Sequence, residues 1–144
     1  MSPAFSVRPA RWDEDENAIA RVRRSVFIEE QSVPEALEWE AQDSACLWHV
    51  AWVVEDAIIG IVRLTPQGRI GRMAVLKPWR GRGVGSALLS AAIDAARARG
   101  QTGLQLSAQT HAIAFYARHG FIATGPEYLD AGIPHRTMSL GVTP

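Results

Sequence analysis

Apolar residues recur along this chain in two periods, and the change from one to the other marks most element boundaries. "FSVRPA" alternates and stops at Pro9, which predicts a short first strand. The acids Asp13 to Glu16 precede Ile19, Val22, Val26 and Phe27 at helical spacing, so a first helix is expected with its acids at the positive end of the dipole. "EEQSVPEALEWEAQD" is interrupted by Pro34 and recovers into short helical turns, a polar connection too rich in specific side chains to be a linker. "LWHVAWVV" and "IIGIVRL", joined by "EDA", read as a hairpin. After "TPQG", the run "RIGRMAV" is a further antiparallel strand, stopped by Lys77 and Pro78.

The next apolar set, Val84, Leu88, Ala92 and Ala95, lies on one face of a long helix with Gly100 as its stop. "GLQLSAQ" is a strand, "HAIAFYARHG" a short helix closed by Gly120, "FIATG" a short strand and "PHRTMSLGV" the last one. The order β, α, α, β, β, β, α, β, α, β, β predicts an α+β (α/β) fold in a single domain over residues 1–144. The fourth and fifth strands, joined through one helix, should form the parallel crossover of an otherwise antiparallel sheet.

Composition narrows this picture. The 144 residues are 47% apolar, enough to bury a core without disulfides or a structural metal. Cys46 is the only cysteine and excludes both an internal disulfide and a cysteine-rich metal site. No metal, membrane span, signal or transit pattern is read in the chain, and a cytoplasmic protein, monomer or homodimer, is expected. Net charge is zero, which speaks against a nucleic-acid protein that relies on overall basicity. The charge is nonetheless uneven: ten of the fifteen acids fall between Asp13 and Asp43, and Arg63, Arg69, Arg72, Lys77, Arg80 and Arg82 cluster in the centre. Such a division suits a cationic substrate held beside a polyanionic one.

The candidate chemistry begins at "WRGRGVGSALL", where Gly81, Gly83 and Gly85 stand at alternate positions before a helix. Glycines there let a ligand approach the unpaired first-turn amides, which makes an anion site. No lysine precedes Ser86, so a P-loop does not fit, and neither glycine spacing nor position in the chain fits a dinucleotide fingerprint. An RNA-binding "RGRG" element would be longer, repetitive and without an apolar helix behind it.

Arg80-x-x-Gly83-x-Gly85, after "MAV" and before "ALL", resembles the pyrophosphate-binding motif of the GNAT superfamily of acyl-CoA N-acyltransferases. "QTHAIAFYARHGF" is similar to that superfamily's second cofactor segment, so the resemblance runs from Val50 to Val142. "VFIEEQSVP", the acids Glu38, Glu40 and Asp43, and "DAGIPHRTM" look like its ElaA-like branch. Two positions depart from the pattern: Gln109 stands where most members have asparagine, and Glu40 where relatives have aspartate.

The resemblance implies that the fourth and fifth strands splay into a V with helices on both faces of the sheet. Backbone groups of Met73, Ala74 and Val75 would then bind the pantetheine arm of acetyl-CoA as an added strand. Arg80, Gly81, Arg82, Gly83, Val84, Gly85 and Ser86 would surround the pyrophosphate, with Gln109, Ala112, Phe115 and Tyr116 on the other wall. It implies an N-acetyltransferase acting on a small-molecule or peptide amine, with Tyr116 as general acid toward the leaving thiolate. Glu30 is the first candidate base, with Gln31, Arg72, Glu38 and His135 toward the acceptor. His135 is open between a part in that chemistry and a structural hydrogen bond, and His49, His111 and His119 are expected to be non-catalytic. The rival readings are a non-catalytic acyl-CoA-binding module and an RNA-binding element.

Overall fold

The computed structural model describes residues 4–54 and 57–141, and the expected element order is observed. Strand β1 (Ser6–Pro9) is followed by α1 (Trp12–Arg23), which continues without a break into a π-helical run, Arg24–Glu30. Then come α2 (Glu35–Glu38), a 3₁₀ turn (Ala41–Ala45), and the strands β2 (Leu47–Val53), β3 (Ala57–Leu64) and β4 (Arg69–Val75). The second half consists of α3 (Val84–Ala98), β5 (Gly103–Gln109), α4 (Ile113–Arg118), β6 (Ile122–Asp130) and β7 (Ile133–Gly141). Glu55 and Asp56 of the expected "EDA" turn, Val142 at the end of the last strand, and the remaining terminal residues of the 1–144 domain lie outside the described residues. Among the described residues no helix is long and apolar enough to cross a membrane.

All seven strands form one sheet in the order β1-β2-β3-β4-β5-β7-β6, antiparallel except for β4 against β5. On one face the apolar stripe of α3, Val84, Leu88, Leu89, Ala92 and Ala96, packs on Ile59, Val62, Leu64, Ile70, Leu104 and Leu106. On the other face Ile19, Val22 and Val26 of the first helix cover Trp48, Val50, Ile61 and Ala74. Two stripes at helical spacing, each buried on its own side of a sheet with alternating faces, are what fix the three layers.

Two elements differ from expectation. The first helix winds more loosely from Arg24 onward, a single-residue widening that propensity does not encode. The strand expected over "FIATG" instead runs to Asp130. It is the exposed edge of the sheet and carries an irregularity between Thr124 and Tyr128, around Gly125 and Pro126, so it shows no hydrophobic alternation to read.

Candidate active site

The site begins where two strands part. β4 and β5 pair only at Arg69 with Gln105 and Ile70 with Leu106, after which β4 follows β3 and β5 follows β7 to Gln109 opposite His135. A bulge at Arg72 assists the parting. Its backbone is left-handed at φ 47°, and the β3 register shifts between Ile61 and Arg63 opposite it. Non-glycine residues hold that conformation only where their surroundings enforce it. The gap beyond is a cleft of about 910 Å³, bordered by the backbone of Met73, Ala74 and Val75 on one side and by Ser107 and Gln109 on the other.

At one end of the cleft lies the glycine loop. Gly81 and Gly83 are left-handed at φ 75° and 83°, and Gly83 caps α3 with no side chain bonded to the first-turn amides. These amides therefore remain available to an anion at the positive end of a 15-residue helix. At Gly85 a Cβ would lie in ordinary contact with the Phe115 ring, 3.5 Å away. Arg82 lies 5.1 Å over the Trp79 ring, and the Ser86 hydroxyl is 3.2 Å from His119 Nε2, which half-buries a histidine expected at the surface.

The opposite wall is α4. Phe115 and Tyr116 meet edge to face at 5.1 Å, and Tyr116 also abuts Phe121. Burial pushes the Tyr116 hydroxyl up to about 12, so it keeps its proton at neutral pH and is available as a donor. Gln109, across from it, donates from Nε2 to Gln31 Oε1 at 2.9 Å and ties the end of β5 to the π-helical run.

Beneath the cleft a closed ring of three arginines and three carboxylates joins five elements. Arg23 bonds Glu38 at 2.8 Å and Asp43 at 2.9 Å; Arg63 bonds Asp43 at 2.9 Å and Glu40 at 2.5 Å. Arg72 closes the ring at 3.1 Å from Glu38 and 3.4 Å from Glu40. Arg23 is 1% exposed and Glu38 3%, so this side of the ring is matched inside the protein, while the Glu40 and Arg72 side reaches solvent. Arg63 holds the Glu40 carboxyl below its ordinary range. Burial pushes Asp43 up, but the Glu40 amide together with Arg23 and Arg63 outweighs it and leaves Asp43 lowered.

A family model described as an acetyltransferase (GNAT) domain matches residues 11–142. The Bacillus subtilis protein YjcF, named an uncharacterised N-acetyltransferase, is 36% identical over 121 residues, which are 81% of this chain and 86% of that protein. An acyl-CoA N-acyltransferase of Pseudomonas aeruginosa superposes with a TM-score of 0.78 at 28% identity, over 94% of this chain and 99% of that one. Escherichia coli ElaA shares the fold, with a TM-score of 0.84 at 23% identity over 94% and 99% of the two chains. The chain belongs to the GNAT acetyltransferase family.

The GNAT fold is one that binds acyl-CoA and transfers its acyl group, and in this GNAT chain the residues expected around the donor do come together. Met73 to Val75, Arg80 to Ser86, Gln109, Ala112, Phe115 and Tyr116 all border one cleft except for Arg82, which stands beside it on Trp79. Two of the acceptor residues are found in ion pairs. Glu30, expected as a base, is a bidentate partner of Arg80 at 2.7 Å for both oxygens, and that guanidinium holds its carboxyl low. Glu38, expected at a substrate cation, has its charge met by Arg23 and Arg72 instead. Arg72 does border the cleft, but as a member of the ring rather than as a free cation. Gln31 and His135 border it as expected. The sequence reading missed the structural parts of Arg23 and Arg63 and the bond between the Ser107 and Tyr128 hydroxyls. None of these carries a local motif, and only the period-2 register of β5, β7 and β6 could have placed Ser107, His135 and Tyr128 together.

Proposed function

We propose that this protein transfers the acetyl group of acetyl-CoA to a primary amine of a small molecule or peptide, by direct attack while both substrates are bound. The V between β4 and β5 carries this reading. It offers a free backbone edge for the pantetheine arm, a helix start for the pyrophosphate, and an open face toward α1 and α2 for the amine. The amine nitrogen attacks the thioester carbonyl, a β4 amide at Met73 or Val75 stabilises the oxyanion, and the C–S bond breaks. Tyr116 donates its proton to the departing sulfur. Its burial keeps it protonated at neutral pH, so that it meets the leaving sulfur as a hydrogen-bond donor.

The test is a panel of polyamines, amino acids, aminosugars and peptides incubated with acetyl-CoA, with free thiol release as the readout. Release above the hydrolysis rate for at least one amine class is expected. An inactive panel, with CoA still bound, would replace this reading by a non-catalytic acyl-CoA-binding module.

A further inference from the structure

An alkyl amine is mostly protonated at neutral pH and must lose a proton before it attacks. Given the acetyltransferase reading above, some group in the cleft must take it. The carboxylates are poorly suited. Glu38, Glu40 and Asp43 are matched in the arginine ring, and Glu30 shares both nitrogens of Arg80 with any incoming diphosphate, so Glu30→Gln is the control that separates it from His135. A carboxylate stabilised in its charged form by an arginine has little affinity for another proton.

His135 is held differently. It is 8% exposed, it stands opposite Gln109 of β5 and opposite Tyr128 of β6, and it borders the cleft. Its Nδ1 lies 2.6 Å from the Ile133 carbonyl oxygen, which can only accept, so Nδ1 carries a proton and, in the neutral ring, the lone pair is on Nε2. Among the described residues Nε2 has no hydrogen-bond partner. The ring orientation is fixed from the side by Tyr128, stacked at 6.0 Å and 22°, whose hydroxyl is in turn bonded to Ser107. The result is an imidazole clamped at Nδ1, on a residue that borders the cleft.

We infer that His135 is the general base of this acetyltransferase, taking the proton from the acceptor ammonium through Nε2. Nε2 receives one proton of R–NH₃⁺, and the freed nitrogen pair forms the N–C bond. The tetrahedral ammonium then loses a second proton, the C–S electron pair leaves on sulfur, and Tyr116 supplies that sulfur with a proton and is replenished from the ammonium. His135 returns its own proton to solvent when products leave. The elements packed on β7 are β6, which presents Tyr128 and Asp130, the 3₁₀ turn Thr110–Ala112, which carries His111, and β5, which presents neutral Ser107 and Gln109; Arg72, Glu38, Glu30 and Tyr116 border the same cleft. Arg136, next in sequence, turns away to the Gly125 carbonyl.

The experiment has two parts on the full chain. Long-range ¹H–¹⁵N spectra of the imidazole rings should show His135 as the Nδ1–H tautomer, and an Nε2–H tautomer overturns the assignment whatever the substrate. With the best amine of the panel at saturating acetyl-CoA, the kcat/KM of wild type should show an acid limb. His135→Gln should lower kcat/KM about 10²-fold or more, abolish that limb, and leave acetyl-CoA affinity and melting temperature intact. Free imidazole should partly restore His135→Ala, and Glu30→Gln should keep the limb. An active panel with His135→Gln within threefold of wild type and the limb unchanged overturns the His135 role alone. An inactive panel overturns the acetyltransferase reading and this inference with it.

Discussion

The donor and acceptor halves of the cleft are built on different physics. The donor half is backbone: glycine φ angles, unpaired amides at the start of α3, and the free edge of β4. The acceptor half is side chain: the arginine–carboxylate ring, the Gln31–Gln109 bond and the Ile133–His135–Tyr128–Ser107 arrangement. Backbone sites demand particular residues at fixed local spacing and tolerate neighbours freely. Side-chain networks make no such local demand, but they fail as units when one member is removed.

The sharpest way to break the comparison is therefore to remove one charge from the ring. Asp43 accepts from Arg23, Arg63 and the Glu40 amide, and its carbonyl accepts from the Trp48 indole. Asp43→Ala leaves two buried guanidinium groups underpaired and is expected to cost about 3–5 kcal/mol of stability, read by urea unfolding. The ring also has a pH signature. Glu40 and Asp43 have lowered carboxyls in the folded chain, so their contribution is complete above their unfolded values of about 4, and is lost as pH falls through the still lower folded values. Unfolding midpoints should decline steeply below about pH 4 in wild type and less steeply in Asp43→Asn.

The same contrast explains what could be read from the amino-acid order. The element order, the parallel crossover and the anion loop follow from apolar periods and from Gly81 and Gly83, each a signal spread over a few neighbouring residues. Arg23, Glu38, Asp43 and Arg63 lie far apart in sequence and become one ring only when α1 docks on β3 and β4. Before docking, the acids looked like a free anionic patch. The pairing of Glu30 was hidden for the same reason, since its partner Arg80 is fifty residues away. The π-helical turn and the length of β6 were illegible because neither depends on a hydrophobic repeat.

Next in size is the chemistry between the halves. Tyr116→Phe keeps the ring contacts with Phe115 and Phe121 but removes the proton donor. We expect kcat to fall about 10²-fold with the KM for acetyl-CoA within twofold, measured by thiol release. A change in KM alone would make Tyr116 a packing residue of the donor wall. Within the donor half, Gly83→Ala must hold alanine at φ 83°, a cost of about 1–2 kcal/mol, and should weaken CoA binding about tenfold by calorimetry. Gly85→Ala, which only meets Phe115 at 3.5 Å, should change it by less than about threefold.

The smallest effect tests the one ion pair that spans both halves. Glu30 on the acceptor side occupies Nη1 and Nη2 of Arg80, the guanidinium expected to face the pyrophosphate, while Arg80 Nε is anchored on the Val75 carbonyl. A diphosphate entering the loop competes with Glu30 for the same two nitrogens. Glu30→Gln removes the competitor's charge and leaves Arg80 anchored, so CoA affinity should rise, by about two- to fivefold because an exposed pair is worth up to about 1 kcal/mol. The gain should shrink as salt screens the pair and vanish in Arg80→Ala, where there is nothing to compete for. Weaker CoA binding in Glu30→Gln would mean instead that the carboxylate orients Arg80 toward the loop, making the acceptor side a support for the donor site rather than its rival.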